Sequence, residues 1–215
     1  MKHRSTILFV VLSILLVLLF ILDLVMGSVQ IPFKAVLGAL LGGEVDAATR
    51  IIVLDIRLTK AIVAVLAGVA LSVSGLQMQT LFRNPLAGPY VLGISSGASL
   101  GVAIFILGMP LWGMATNSVV ASVGTAGAAG VGAALILAFV ASVSTRIKDI
   151  MVILILGMMI SSGVSAVVQI LQYLSHEEAL KSFVIWTMGS LGDVTHNQLS
   201  LMLPAVLVGM VVSVG

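Results

Sequence analysis

Gly93-Ile94-Ser95-Ser96-Gly97 has the glycine-x-serine-x-glycine spacing of a nucleophile elbow, the one arrangement in this chain that suggests covalent chemistry. Such an elbow needs a strand-to-helix turn with histidine and carboxylate partners. Here the pentapeptide lies in an apolar stretch that predicts a helix, and His3, His176 and His196 fall in flanks or loops. Close packing of glycines explains the pattern better than catalysis does, so no catalytic residue is assigned. Met151, Met158 and Met159 read as gap-filling side chains, because nothing near them in sequence completes a coordination shell. The chain has no cysteine, hence no thiol ligand and no disulfide, and neither a metal nor a cofactor is expected in it. A glycine-rich phosphate loop and an H-E-x-x-H pair are also missing from the sequence.

Proton-driven carriers use ionisable relays in mid-membrane. The apolar stretches here hold almost none: Asp23 lies near the end of one, and Gln77, Gln79, Gln169 and Gln172 do not titrate. A transporter with this sequence has to draw its energy from another subunit.

The elements that carry these residues must be membrane-spanning helices. With 60% apolar and 8% charged residues there is too little polar surface to coat a water-soluble globule. The 10 basic and 8 acidic side chains sit between apolar runs and form no basic face for nucleic acid. Runs at 7–26, 61–81, 91–111, 117–143, 150–174 and 198–215 are each near the roughly 20 residues a span requires. The predicted fold is all-α, a polytopic transmembrane helical bundle forming one domain over 1–215. The first run follows Lys2 and Arg4 and lacks a small-residue cleavage site, so it reads as a retained helix. Segment 27–60 reads as an extramembrane excursion with a short interfacial helix, and the polar stretch 175–197 as interfacial. The last run reaches Gly215 without a polar flank, which suggests a fragment.

Small residues recur at four-residue spacing: Ala64, Gly68 and Ser72; Gly93, Gly97 and Gly101; Ala128 and Gly132. Such faces let helix backbones approach closely in lipid. Ser95, Ser96, Ser161 and Ser162 can line a polar pathway or bond back to their own helices.

An ordered set of motifs runs from residue 56 to 98. It comprises Ile56-Arg57-Leu58-Thr59-Lys60, the small-residue helix 67–75, Gln79, the break Arg83-Asn84-Pro85-Leu86-Ala87-Gly88-Pro89, and Leu92-Gly93-Ile94-Ser95-Ser96-Gly97-Ala98. It resembles the permease family of ATP-binding-cassette importers for iron-siderophores, haem and cobalamin. A weaker match from Leu156-Gly157 to Trp186-Thr187-Met188-Gly189-Ser190-Leu191 extends the resemblance over nearly the whole chain. The break makes local physical sense, since Pro85 and Pro89 remove backbone donors and Asn84 can satisfy freed backbone groups.

At roughly 20 residues per span, the six runs are part of the about ten helices that the resemblance implies for a full-length permease. It further implies a homodimer around a central path, two cytoplasmic ATPase subunits, an extracytoplasmic substrate-binding protein, and a multi-pass location in the inner membrane. Arg57 and Lys60 fall at the family's two basic docking positions, which the resemblance implies receive carboxylates of the binding protein, one from each of its lobes across the dimer. Thr59 stands where the family has proline, which loosens the turn, and Lys60 where it has arginine, which loses the two-pronged grip, so Arg57 is expected to carry more of the contact. Gly157, Met158, Ser161 and Ser162 are assigned to the translocation path, and Arg146, Asp149 and Met151 to the cytoplasmic gate region. A structural membrane subunit and an intramembrane enzyme remain as alternatives.

Basic residues divide evenly between the two sides, but Lys2 and Arg4 ahead of the first helix and the short turn Arg146–Lys148 favour a cytoplasmic N-terminus. A cysteine at position 2 is therefore expected to react with an impermeant maleimide only from the cytoplasmic side, and one at 181 only from outside. The reverse pattern would overturn this orientation.

Overall fold

A computed structural model describes residues 2–108, 118–147, 149–192 and 194–214 of the chain. Among them every regular element is helical, as the sequence predicts. The chain divides into two compact units, one formed by Met1–Gly68 with Leu191–Pro204, the other by Val69–Ser190 with Ala205–Gly215.

The first unit begins with α1 (Lys2–Val25), whose side chains are apolar on every side and almost all exposed. In water this would be untenable; in a bilayer a helix satisfies all its internal backbone groups and leaves apolar side chains to lipid. Asp46 caps α3 (Ala47–Ile51), its carboxylate accepting from the Thr49 N–H at 3.3 Å. Before it, α2 (Phe33–Leu40) follows Pro32 and buries Val36 and Ala39. After it, α3 runs without a break through a π-helical segment (Ile52–Leu58) into α4 (Thr59–Phe82). Leu24, Ile31, Val36, Ala39, Val53 and Ala61 form the core of this unit. The single interfacial helix expected in 27–60 is thus two short helices and a π turn. Thr59 is helical (φ −57°, ψ −49°) and buried, so the loosened turn expected there is not seen.

The second unit holds the rest of α4, a 3-10 turn (Pro89–Leu92), α5 (Ile94–Gly108), α6 (Ser118–Ser144), α7 (Ile150–Leu174), α8 (Glu177–Met188) and the end of α9 (His196–Val214). The run expected from 91 begins as a helix only at Ile94, because Gly93 takes a left-handed conformation (φ 77°) after the 3-10 turn. Its expected end, 109–111, lies outside the described residues. The α7 bounds agree with the predicted 150–174, whereas the stretch 175–197, read from sequence only as polar and interfacial, contains the helix α8. Its Phe183 is almost fully buried with Val102, Ala103, Leu107 and Val168, and stacks on Trp186 at 6.3 Å between ring centroids.

Four of the described helices are long and apolar enough to span a membrane: Arg4–Val25, Ala47–Phe82, Val123–Ser144 and Ile150–Leu174. Ile94–Gly108 and Gln198–Ser213 are apolar but shorter.

Helices α5 and α6 meet through the stripes picked out by spacing. A side chain at Gly97 would run into the Gly132 carbonyl, one at Gly101 into the Ala128 carbonyl, and one at Gly132 into the Gly97 carbonyl. Gly68 behaves differently, since a methyl group there would meet no atom. Glycine at 132 is thus a packing requirement, whereas Gly130, on the same helix, faces open space. Gly132→Ala is expected to lower stability by about 1–3 kcal/mol through overpacking. Gly130→Ala is expected to leave it unchanged or raise it slightly. Thermal unfolding in lipid nanodiscs separates the two, and equal melting temperatures would contradict this packing.

Candidate functional site: a buried arginine and an exposed lysine at the end of the first span

Helix α1 ends at Val25, and its last carbonyls have no following turn to receive them. The chain then folds back so that the π segment lies beside that end. From this segment Arg57 reaches in, donating through one terminal nitrogen to the carbonyls of Leu24 (2.9 Å) and Val25 (2.8 Å). The other terminal nitrogen donates to the carbonyl of Val29. A planar fork with several donors can hold three carbonyls at once, and its positive charge offsets the negative end of the α1 dipole. Arg57 is only 7% exposed. Gly27 leaves room for it, since a methyl group there would lie 2.8 Å from a guanidinium nitrogen.

Lys60 stands one turn further on and is exposed. Its ammonium lies 3.9 Å from the Asp23 carboxylate, with the two side chains 47% and 41% accessible. Asp23, Met26, Ser28, Ile56, Arg57 and Lys60 are among the residues lining a cleft of about 220 Å³. The two basic positions read from the sequence are therefore neighbours with different situations: one is an internal cap, the other an outward cation.

The break after α4 is built as its composition requires. Arg83 is exposed and left-handed (φ 47°), a conformation uncommon outside glycine. The Asn84 carboxamide oxygen accepts from the Leu86 N–H at 2.9 Å, and Gln79 donates to the Pro85 carbonyl at 3.1 Å. Pro89 opens the 3-10 turn.

On α7 the four residues expected to line the path separate into two faces. Gly157 is buried against the backbone of Val91 and Leu92, and Ser161, part-buried, donates to the Gly157 carbonyl at 2.9 Å. Met158 and Ser162 are exposed, Ser162 donating back to Met158 at 3.0 Å. The structure thus does not bring all four to one wall. At the start of α7 the Asp149 carboxylate accepts from the Met151 N–H at 2.8 Å, which makes it a helix cap. Arg146 is exposed in the preceding turn.

Residues 15–215 match the model of the FecCD transport family. The chain belongs to that family. Among FecCD relatives, the hemin transport system permease protein HmuU of Yersinia pestis is 36% identical over 93% of this chain and 59% of its own length. The molybdate import system permease protein MolB of Haemophilus influenzae is 35% identical over 68% of this chain and 42% of its own. The chain thus spans about half the length of these relatives. A solved inward-facing structure of a metal-chelate type ABC transporter superposes with a TM-score of 0.75 at 28% identity, covering 95% of this chain and 59% of that one.

Sequence reasoning missed the partners of Arg57, which are backbone carbonyls about thirty residues away in sequence, and the pairing of Asp23 with Lys60. A carboxylate in the last turn of α1 was the available signal, because it opposes the helix dipole and so needs a nearby cation. Arg57→Ala is expected to cost about 1–3 kcal/mol, the penalty of stranding buried carbonyls. Arg57→Lys should recover only part of that, since an ammonium cannot reproduce the fork. Unfolding of detergent-purified variants measures both, and an Arg57→Ala protein as stable as wild type would show that the cap is not needed.

Proposed function

We propose that this chain acts as the permease subunit of an ATP-binding-cassette importer that carries an iron chelate, a siderophore or haem, across the inner membrane. The observation that carries the reading is the family match over residues 15–215 together with a hemin permease relative aligned along 93% of the chain. The apolar, lipid-facing helices and the near-absence of ionisable groups within them support a passive wall, with energy supplied elsewhere.

In this reading the permease is a homodimer, ATP is hydrolysed on two separate cytoplasmic subunits, and an extracytoplasmic binding protein delivers the chelate. The N-terminus is cytoplasmic, which turns the Asp23–Lys60 cleft outward. Lys60 then presents the accessible positive charge to the binding protein, while Arg57 holds the ground it stands on. Met158 and Ser162 supply weakly interacting groups to the path, which suits a translocator that must release its cargo. The turn containing Arg146, Asp149 and Met151 forms part of the inner gate.

A second reading, an oxyanion importer, is favoured by the molybdate permease relative. Cobalamin is a further cargo compatible with the sequence motifs. Proteoliposomes holding the permease with the ATPase and binding protein of the neighbouring reading frames decide among them. Uptake of radioactive iron chelate or haem that requires ATP and the binding protein is the expected outcome. Uptake of molybdate or cobalamin alone would replace the cargo, and failure of any ATPase to copurify would remove the importer reading itself.

Because Arg57 is buried and Lys60 accessible, we assign the larger docking role to Lys60 rather than to Arg57. Lys60→Glu should slow binding-protein association several-fold in low salt, the gap closing as ions screen the charges. Arg57→Glu should act first on folding and insertion. Surface plasmon resonance on nanodisc-held permease reads the first effect and membrane yield the second; wild-type association by Lys60→Glu in low salt would remove the docking role.

A further inference from the structure

We infer that Asp23 is an intramolecular guard on Lys60: it occupies the lysine in the unbound permease and is displaced by a carboxylate of the docking protein. The inference rests on the docking reading of Lys60 given above and adds a residue that the docking motif does not contain.

The position of Asp23 motivates it. A carboxylate in the last turn of a helix faces the negative end of the dipole, so α1 itself gains nothing from an acid there. A charge-assisted contact closes to about 2.7–2.9 Å when tight. The Asp23–Lys60 pair stays at 3.9 Å with both side chains nearly half accessible, a loose contact that contributes little to stability. Arg57 directs three of its five N–H donors to the carbonyls of Leu24, Val25 and Val29, and Lys60 is the cation at ion-pair distance from Asp23. Beside the pair the cleft has space for a small anionic group, with Met26, Ser28 and Ile56 along its walls. An arriving carboxylate therefore meets a lysine whose charge is partly countered by a weakly held partner.

A guard of this kind lowers long-range attraction and selects partners that place a carboxylate at Lys60 accurately enough to compete. It predicts that removing the guard's charge speeds association, the opposite of what loss of a favourable docking contact would do.

The test uses the permease in nanodiscs and, as probe, the binding protein encoded in the neighbouring reading frame, with association rates measured in low and high salt. Asp23→Asn is expected to raise the low-salt rate about two- to five-fold and to have no effect in high salt. Combining Asp23→Asn with Lys60→Gln should abolish the gain. Asp23→Glu, which keeps the charge and reaches further, should associate at or below the wild-type rate, and it serves if Asp23→Asn inserts poorly. An unchanged or slower rate for Asp23→Asn, or a faster one for Asp23→Glu, while Lys60→Glu still slows association, overturns the guard and leaves docking intact. No effect of Lys60→Glu overturns both.

Discussion

A backbone carbonyl buried away from water needs a donor from the protein, and the end of a helix is where unpaired carbonyls collect. At the end of α1 the fork of Arg57 receives them. This contact brings the π segment against α1 and fixes where α4 starts, and with it the position of Lys60 and the cleft beside Asp23. Gly27 is the local condition that lets the guanidinium approach, and the core around Leu24, Val36, Val53 and Ala61 closes around it.

The second unit follows another constraint. Lipid offers no hydrophobic drive between helices, so α5 and α6 are held by backbone proximity at Gly97, Gly101 and Gly132. Gly157 does the same for α7 against Val91 and Leu92. Of the four residues that the sequence assigns to a path, Gly157 and Ser161 are taken up in packing, and Met158 and Ser162 keep an exposed face. On α7 the division between packed and exposed side chains runs between adjacent residues.

Much of this was legible in the sequence, because the strongest signals are local. Apolar runs of span length located the long helices, and α7 was bounded correctly since Asp149 caps it and polar residues follow Leu174. The Asn84–Pro85 break was readable from proline chemistry alone. What was hidden depends on distant contacts or mixed composition. Glu177–Met188 carries too many polar residues to look like a span, and its order comes from burying Phe183. The inward turn of Arg57 depends on carbonyls brought close by folding, and carbonyls leave no mark in a sequence. Family resemblance reads a basic residue at such a position as available, whereas the packing of α1 engages it.

The claim that Arg57 closes the end of α1 can be measured directly in lipid. Carbonyl carbons of Leu24 and Val25 labelled with carbon-13, and arginine side chains labelled with nitrogen-15, allow solid-state NMR dipolar recoupling on the reconstituted protein. The account predicts strong short-range dephasing of both carbonyls that vanishes in Arg57→Gln. Carbonyl signals that do not dephase in the folded wild-type protein would show that the guanidinium is elsewhere, and the assignment of Arg57 to the interior would be wrong.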